Sequence, residues 1–257
     1  VKEKTSRSSS VDKALMLLNC FTEQEYMLGL DDIAKKTAIP KSTVFRMITS
    51  LESFGYVKST KIANKTWYSL GYTFIEKGFM AHRNLDIREL AREHMLGLRN
   101  QLNLNVQLAI QDGLDALYVE QIQSWRPIRL YPAIGRRAPL YAAACPRVLL
   151  AYLDEQEQEV LLQKASFKVF TENTPTEIEV VRKEINQVRK DGYSLSEGEL
   201  FEGTLAIAVP VFHPASKQVI AALSVVGMEG NFEEPLSYYI DILKKVSQKI
   251  SKNISES

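Results

Sequence analysis

The chain has 257 residues, 45% hydrophobic and 25% charged, with a formal net charge of +1. That length allows two domains, each burying its own core without disulfides or metals. The composition excludes collagenous, low-complexity and transmembrane classes, since no apolar run reaches the length of a membrane span.

Val1 to Ser9 is polar and reads as a disordered arm with no apolar signal segment. Ser9 or Ser10 can cap a helix over residues 11–21, with Val11, Ala14, Leu15, Leu18 and Phe21 on one face. "TEQEYMLG" breaks it. Asp31 caps a second helix over 32–37, with Ile33 and Ala34 inward. "AIP" is a tight connection, because Pro40 suits a first helical turn whose N–H groups are unpaired anyway. A third helix runs over 41–54, and Gly55 stands at the position that ends it. "YVKST" and "KTWYSLG" are β-prone runs joined by "KIAN", a hairpin with a basic tip. Three helices and a hairpin within about sixty residues are the layout of a winged helix-turn-helix.

Residues 70–84 form a connecting helix in which Phe74, Ile75 and Phe79 are spaced to pack. "LDIRELAREHMLGLRNQL" is a strongly amphipathic helix. "NVQLAIQ" and "LDALYVEQI" flank the turn dipeptide Asp112-Gly113, and "PIRLYPAI" is a further strand. "APLYAAACPRVLLAYL" is small and apolar and then helical. Helices follow over "EQEQEVLLQK" and over "TEIEVVRKEINQVRKDG", which ends at Gly192. "TLAIAVPVFH" and "QVIAALSVVG" form a hairpin around "PASK", and a helix over 236–253 closes the chain. This second half is an α+β domain, an antiparallel sheet flanked by helices.

Charge separates the halves. Residues 1–70 hold eleven Lys/Arg against seven Asp/Glu, and the rest twenty-one against twenty-four. Between Ile33 and Lys65 seven bases accompany one acid, Glu52. A basic segment on a mildly acidic body suits contact with a polyanion. A helix presented to the major groove puts its N-terminal residues near bases and phosphates. Lys41, Ser42, Thr43 and Arg46 occupy that end. Arg46 is suited to a two-bond contact with guanine. Lys41 and the hairpin's Lys58, Lys61 and Lys65 are suited to phosphates. The competing reading is a helical bundle whose polar faces are only solvated.

Catalytic signatures are absent from the sequence. His82, His94 and His213 are scattered without metal-binding spacing, and no G-x-S-x-G or phosphate-binding glycine motif occurs. Cys20 and Cys145 lie far apart in apolar surroundings, which suits a reducing cytoplasm. Arg147 near Cys145 would favour a thiolate, but no partner base is identifiable. "GRRAP" (135–139) either holds an anion through its two arginines or is a solvated loop. No cofactor and no metal is expected, and no enzymatic activity.

From Ser10 to Asn253 the sequence resembles the IclR family of bacterial transcription regulators. The blocks that carry the likeness include "LDDIAKKTAIPKSTVFRMITSLESFGYV", "IRLYPAIGRRAPLYA", "RKDGYSLSEGE", "EGTLAIAVPVF" and "IAALSVVG". The resemblance implies a winged helix-turn-helix over 10–70, a linker helix over 71–84 and a GAF-like effector-binding domain over 85–257. It implies operator DNA as partner, a small carboxylate or aromatic acid as effector, dimers or tetramers, and work in the bacterial cytoplasm at the nucleoid. It places the effector pocket on Leu130, Ala138, Ala144, Cys145, Ser196, Thr204, Ala206, Ser224 and Val226. Members that hold a tiny carboxylate usually show Gly-Ala where this chain has Ala144-Cys145. They also show an acid for Ser196, Cys for Ala206 and a second Ser for Val226, and a His for Tyr141. The expectation is therefore a more apolar or differently sized pocket. Backbone N–H groups at 144–145 and the Ser224 hydroxyl remain to hold one end of a ligand. The alternative is a ligand-binding or catalytic domain whose helical module never touches DNA.

Overall fold

The computed structural model describes residues 9–83, 86–126 and 134–254. Residues 1–8 of the expected arm and 127–133 of the expected "PIRLYPAI" strand, Leu130 among them, lie outside these, while Ser9 of that arm already begins the first helix. The chain divides after Leu85 into two compact units.

In the first unit α1 (Ser9–Leu18), α2 (Leu30–Thr37) and α3 (Lys41–Ser53) pack on a small sheet. Its strands are β1 (Leu28–Gly29), β2 (Val57–Ile62) and β3 (Lys65–Leu70), in the antiparallel order β1-β3-β2. Leu17, Ile33, Val44, Ile48, Val57 and Tyr68 form its core. Fully burying one such aliphatic side chain stabilises the fold by roughly 1.5–3 kcal/mol. Helix α1 begins two residues earlier than expected, at Ser9, and ends three earlier, at Leu18. The chain tightens into three-residue-spaced bonds at Cys20 and Phe21. Its buried residue is Leu17, whereas Val11 and Leu15 are exposed.

The cap of α2 is Gly29 rather than Asp31. Gly29 donates its N–H to the Asp32 carboxylate at 2.9 Å. Asp31 and Asp32 at the start and Lys35 and Lys36 at the end suit the helix dipole. Ala38 then takes a left-handed conformation (φ +54°) that ends α2 and sets up α3. Helix α3 closes with two bonds, from Gly55 N–H to Glu52 and from Tyr56 N–H to Leu51, around Gly55 at φ +74°. The hairpin tip is Ala63-Asn64, both at positive φ, so Lys61 stands within β2 opposite Thr66.

Helix α4 (Thr73–Arg83) is fastened to this unit. A Cβ on Gly71 would meet the Gly55 carbonyl at 2.0 Å, so only glycine allows the two backbones to cross there. Thr73 donates to the Phe54 carbonyl at 3.2 Å, and Phe74 sets its ring edge-on to Tyr56.

The second unit opens with α5 (Asp86–Leu102), β4 (Asn105–Asp112), β5 (Asp115–Ile122) and β6 (Arg137–Pro139). Next come α6 (Ala144–Ala151), α7 (Glu155–Lys164), α8 (Ile178–Asp191) and β7 (Ser194–Glu197). It ends with β8 (Thr204–Phe212), β9 (Val219–Met228) and α9 (Leu236–Asn253). Among the described residues the strands form one antiparallel sheet in the order β6-β5-β4-β9-β8-β7.

Helix α6 lies across β4, β8 and β9, with α8 packed on it, and α5 and α9 pack together against β4 and β8. Residues alternate in facing along each strand. Ala109, Ala208 and Ala222 join the core under α6, so their neighbours Leu108, Ile207 and Leu223 face the other side. Small residues under α6 leave room on that face, and large ones fill the other.

Candidate functional sites: a basic helix and a buried cavity

The first site is the exposed side of α3 and the β2–β3 hairpin. Val44 and Ile48 point into the core, so Lys41, Ser42, Phe45 and Arg46 point out. Thr43 is half-buried, and its N–H is bonded to the Pro40 carbonyl. Lys41 reaches Asp31 at 2.6 Å, so part of its charge is already answered. Lys58 lies over the Tyr72 ring, 4.4 Å from its centre, and Lys61 and Lys65 are exposed. Glu52, the one acid of the segment, is taken up internally: it accepts the N–H and hydroxyl of Ser59 and holds the hairpin to α3. Phe45 was missed in the sequence, although it sits one residue off the Val44–Ile48 stripe. An exposed ring there can contact a thymine methyl.

The second site is a cavity of about 270 Å³ between the start of α6 and the inner face of the sheet. The structure brings seven of the nine expected positions to its wall: Ala144, Cys145, Ser196, Thr204, Ala206, Ser224 and Val226. Ala138 is instead buried in the apolar core, opposite Ala116 in the β5–β6 register, and is not part of this wall. Sequence reasoning did not place Gln107, Tyr118, Arg136 and Phe201 in the pocket, although it offered Arg136 as an anion holder; all four also line the space. The first three come from strands or strand flanks far apart in the chain. Only the sheet register, which pairs Gln107 with Ser224, brings them together. A groove of about 410 Å³ beside α9 and β8 is larger but shallower, and none of the expected positions lines it.

The floor of the cavity is neutral. Burial pushes the Cys145 thiol up to about 12, and a hydrogen bond from Ser224 offsets only part of that. Burial also raises the Tyr118 phenol, with Cys145 adding to the rise and Arg136 opposing it. Cys145 is therefore a packed thiol that stays largely protonated at neutral pH.

The entry into α6 is strained and braced. Ala143 has φ +77° and ψ 164°, a region that costs a residue with a side chain roughly 1–3 kcal/mol. Its N–H is held at 2.9 Å by the Glu199 carboxylate. Buried Arg147 binds that carboxylate, the Leu195 carbonyl at 2.8 Å and the Ser194 hydroxyl, and meets Glu184 at 2.9 Å.

The two arginines of "GRRAP" part company. Arg137 pairs with Asp112 and Asp115, while Arg136 turns to the cavity. Among the described residues no helix is long and apolar enough to cross a membrane, and no cluster of His, Cys, Asp and Glu could hold a metal.

Comparison with known proteins bears on both sites. Residues 10–61 match the family model for the IclR helix-turn-helix domain, and residues 79–252 match that for the bacterial transcriptional regulator IclR C-terminal region. The chain is 36% identical over 250 residues to the HTH-type transcriptional regulator KipR of Bacillus subtilis, covering 97% of this chain and 98% of that one. It is 34% identical to the HTH-type transcriptional regulator KdgR of Escherichia coli, covering 95% and 91%. An IclR homologue from Microbacterium hydrocarbonoxydans, crystallised with 4-hydroxybenzoate, shares the fold. Its TM-score is 0.82 at 22% identity, over 97% of this chain and 100% of that one.

Proposed function

Because the chain belongs to the IclR family of HTH-type transcriptional regulators, we propose that it reads operator DNA with α3 and the β2–β3 hairpin, and that a small acid in the second unit's cavity modulates that binding. The observation that carries the reading is the division of labour in α3. One face is locked into the core by Val44 and Ile48, while Ser42, Phe45 and Arg46 are free to enter a groove.

The cavity supports the effector half of the reading. It is mostly apolar, with a few placed polar groups, one guanidinium (Arg136) and one carboxylate (Glu202), the usual make-up of a small-molecule site. The 4-hydroxybenzoate complex of the homologue with this fold makes planar acids the class to screen first. No chemical step is required, and the neutral Cys145 thiol supports none. Binding a ligand better in one of two states is enough to couple the sites.

The chain acts as a self-associated protein in the bacterial cytoplasm. Ile75, Phe79 and Met80 on α4, with Val11 and Leu15 on α1, leave apolar surface uncovered in the single chain. The experiment is a gel shift with operator and random DNA at two salt concentrations, with and without candidate acids. A protein that binds both DNAs equally, whatever the acid, overturns the reading.

A further inference from the structure

We infer that the effector is a planar acid whose carboxylate is held by Arg136 at the aromatic wall of the cavity, while a neutral hydrogen-bonding group reaches Gln107 and Ser224. This rests on the cavity being the effector site.

Arg136 carries the first part. Its guanidinium lies 4.8 Å from the centre of the Phe201 ring and 5.9 Å from that of Tyr118. Packed on rings, a guanidinium uses its flat faces and keeps its in-plane N–H groups for a forked pair with a carboxylate. None of those N–H groups donates to an acceptor among the described residues, and no carboxylate there comes within the 4.0 Å of an ion pair. The neighbouring Arg137, by contrast, has two acids. A ligand's flat face and acid end complete what Arg136, Tyr118 and Phe201 begin.

The start of α6 is less suited to the acid. A helix N-terminus favours an anion, but here Glu199 already holds the Ala143 N–H. Behind it two carboxylates, Glu184 and Glu199, surround the single guanidinium of Arg147. A ligand carboxylate placed there would sit beside a buried one of its own sign.

The floor carries the last part. Gln107 is 7% exposed, lines the cavity, and its amide has no partner among the described residues. It faces Ser224 across the β4–β9 register. An amide with both donor and acceptor suits a hydroxyl, carbonyl or amide on the ligand. The cavity's 270 Å³ equals about nine waters at ~30 Å³ each, enough for one substituted ring.

The test is calorimetric titration of the full chain with 4-hydroxybenzoate, benzoate and the uncharged 4-hydroxybenzamide. The wild type is expected to bind 4-hydroxybenzoate about tenfold or more tighter than either comparator. Arg136→Gln should bring the acid and its amide to similar affinity, and Arg136→Lys should restore part of the preference. Gln107→Leu should remove the preference for 4-hydroxybenzoate over benzoate and leave that for acid over amide. If Arg136→Gln keeps the acid preference, the anchor is elsewhere and the inference fails. If none of the three probes binds the wild type at millimolar concentration, the ligand class is wrong. Ala206→Phe separates the two levels of the reading: it fills the cavity, so binding that survives it overturns the effector site itself.

Discussion

The Glu199 carboxylate takes the N–H of Ala143 at 2.9 Å and thereby holds a non-glycine residue at φ +77°, the point where the chain turns into α6. Relief of that strain is measurable. Ala143→Gly should raise stability by about 1 kcal/mol, the released strain less the greater flexibility of glycine in the unfolded chain. Glu199→Gln should lower it by about 3 kcal/mol, because Arg147, 3% exposed, loses the better placed of its two acids. Denaturant unfolding of the full chain reads both.

Glu184 behaves differently, although it too meets Arg147. Burial, with the charge of Glu199, outweighs the attraction of Arg147 and raises the Glu184 carboxyl above its ordinary 4.5. The sign follows: a carboxylate whose folded pKa is raised helps the fold most below the unfolded value, and that help is lost as pH climbs through the folded one. Glu184→Gln should therefore be at least as stable as wild type at pH 7, and the difference should close as pH falls below 4.5. Thermal melts across that range decide it. A large loss at pH 7 would show that the ion pair dominates instead.

The DNA contacts separate by kind. Arg46→Ala should cost about 1–3 kcal/mol of discrimination between operator and random DNA, the worth of a forked base contact. Lys61→Ala should weaken binding to both and flatten the salt dependence by about 0.9 in log–log slope, one phosphate's share. Titrations at several salt concentrations measure both quantities on the same variants.

Local signals in the sequence account for much of the first unit. The turn around Pro40, Gly55 and the alternating hairpin are each written within a few neighbours. What was not legible there depends on long-range packing. Nothing near Leu17 says that it, and not Val11 or Leu15, is the residue α1 buries. The cap of α2 moved from Asp31 to Gly29 because β1 delivers the chain to the helix two residues earlier. The four residues of β7 lack a clear apolar alternation and escaped notice.

The cavity divides similarly. Its seven expected wall positions were reached through resemblance. Arg136, Tyr118 and Gln107 were not, since strand alternation does not tell which face of β4 or β5 is lined by empty space. "GRRAP" did show two arginines able to hold an anion, but only the fold assigns Arg137 to Asp112 and Asp115 and leaves Arg136 to the cavity.

Cys145 offers a chemical test of the cavity floor. With its thiol pushed up to about 12, little thiolate exists at pH 8. Iodoacetamide should label Cys145 far more slowly than a free thiol with the ordinary value near 9. A bound acid should leave that slow rate unchanged or lower it further. Peptide mass spectrometry after timed alkylation gives the rate, and rapid modification would show that the cavity opens or that the thiolate is stabilised.

The helix that follows the hairpin makes the last prediction. Tyr72, Ile75 and Phe79 fall on one stripe at three- and four-residue spacing, and all are more than 60% exposed in the single chain. Helix α4 is fastened at its start by Gly71, Thr73 and Phe74, so this stripe is not free to turn inward. An apolar stripe held rigidly outward is the pattern of an interface and not of a solvated helix. Phe79→Glu and Ile75→Glu together should shift the protein towards monomer in light scattering. Each unit keeps its own core, so the far-ultraviolet circular dichroism should remain that of the wild type. DNA affinity should fall with the loss of a second, linked half-site contact. An unchanged mass for the double variant would mean that some other surface joins the copies.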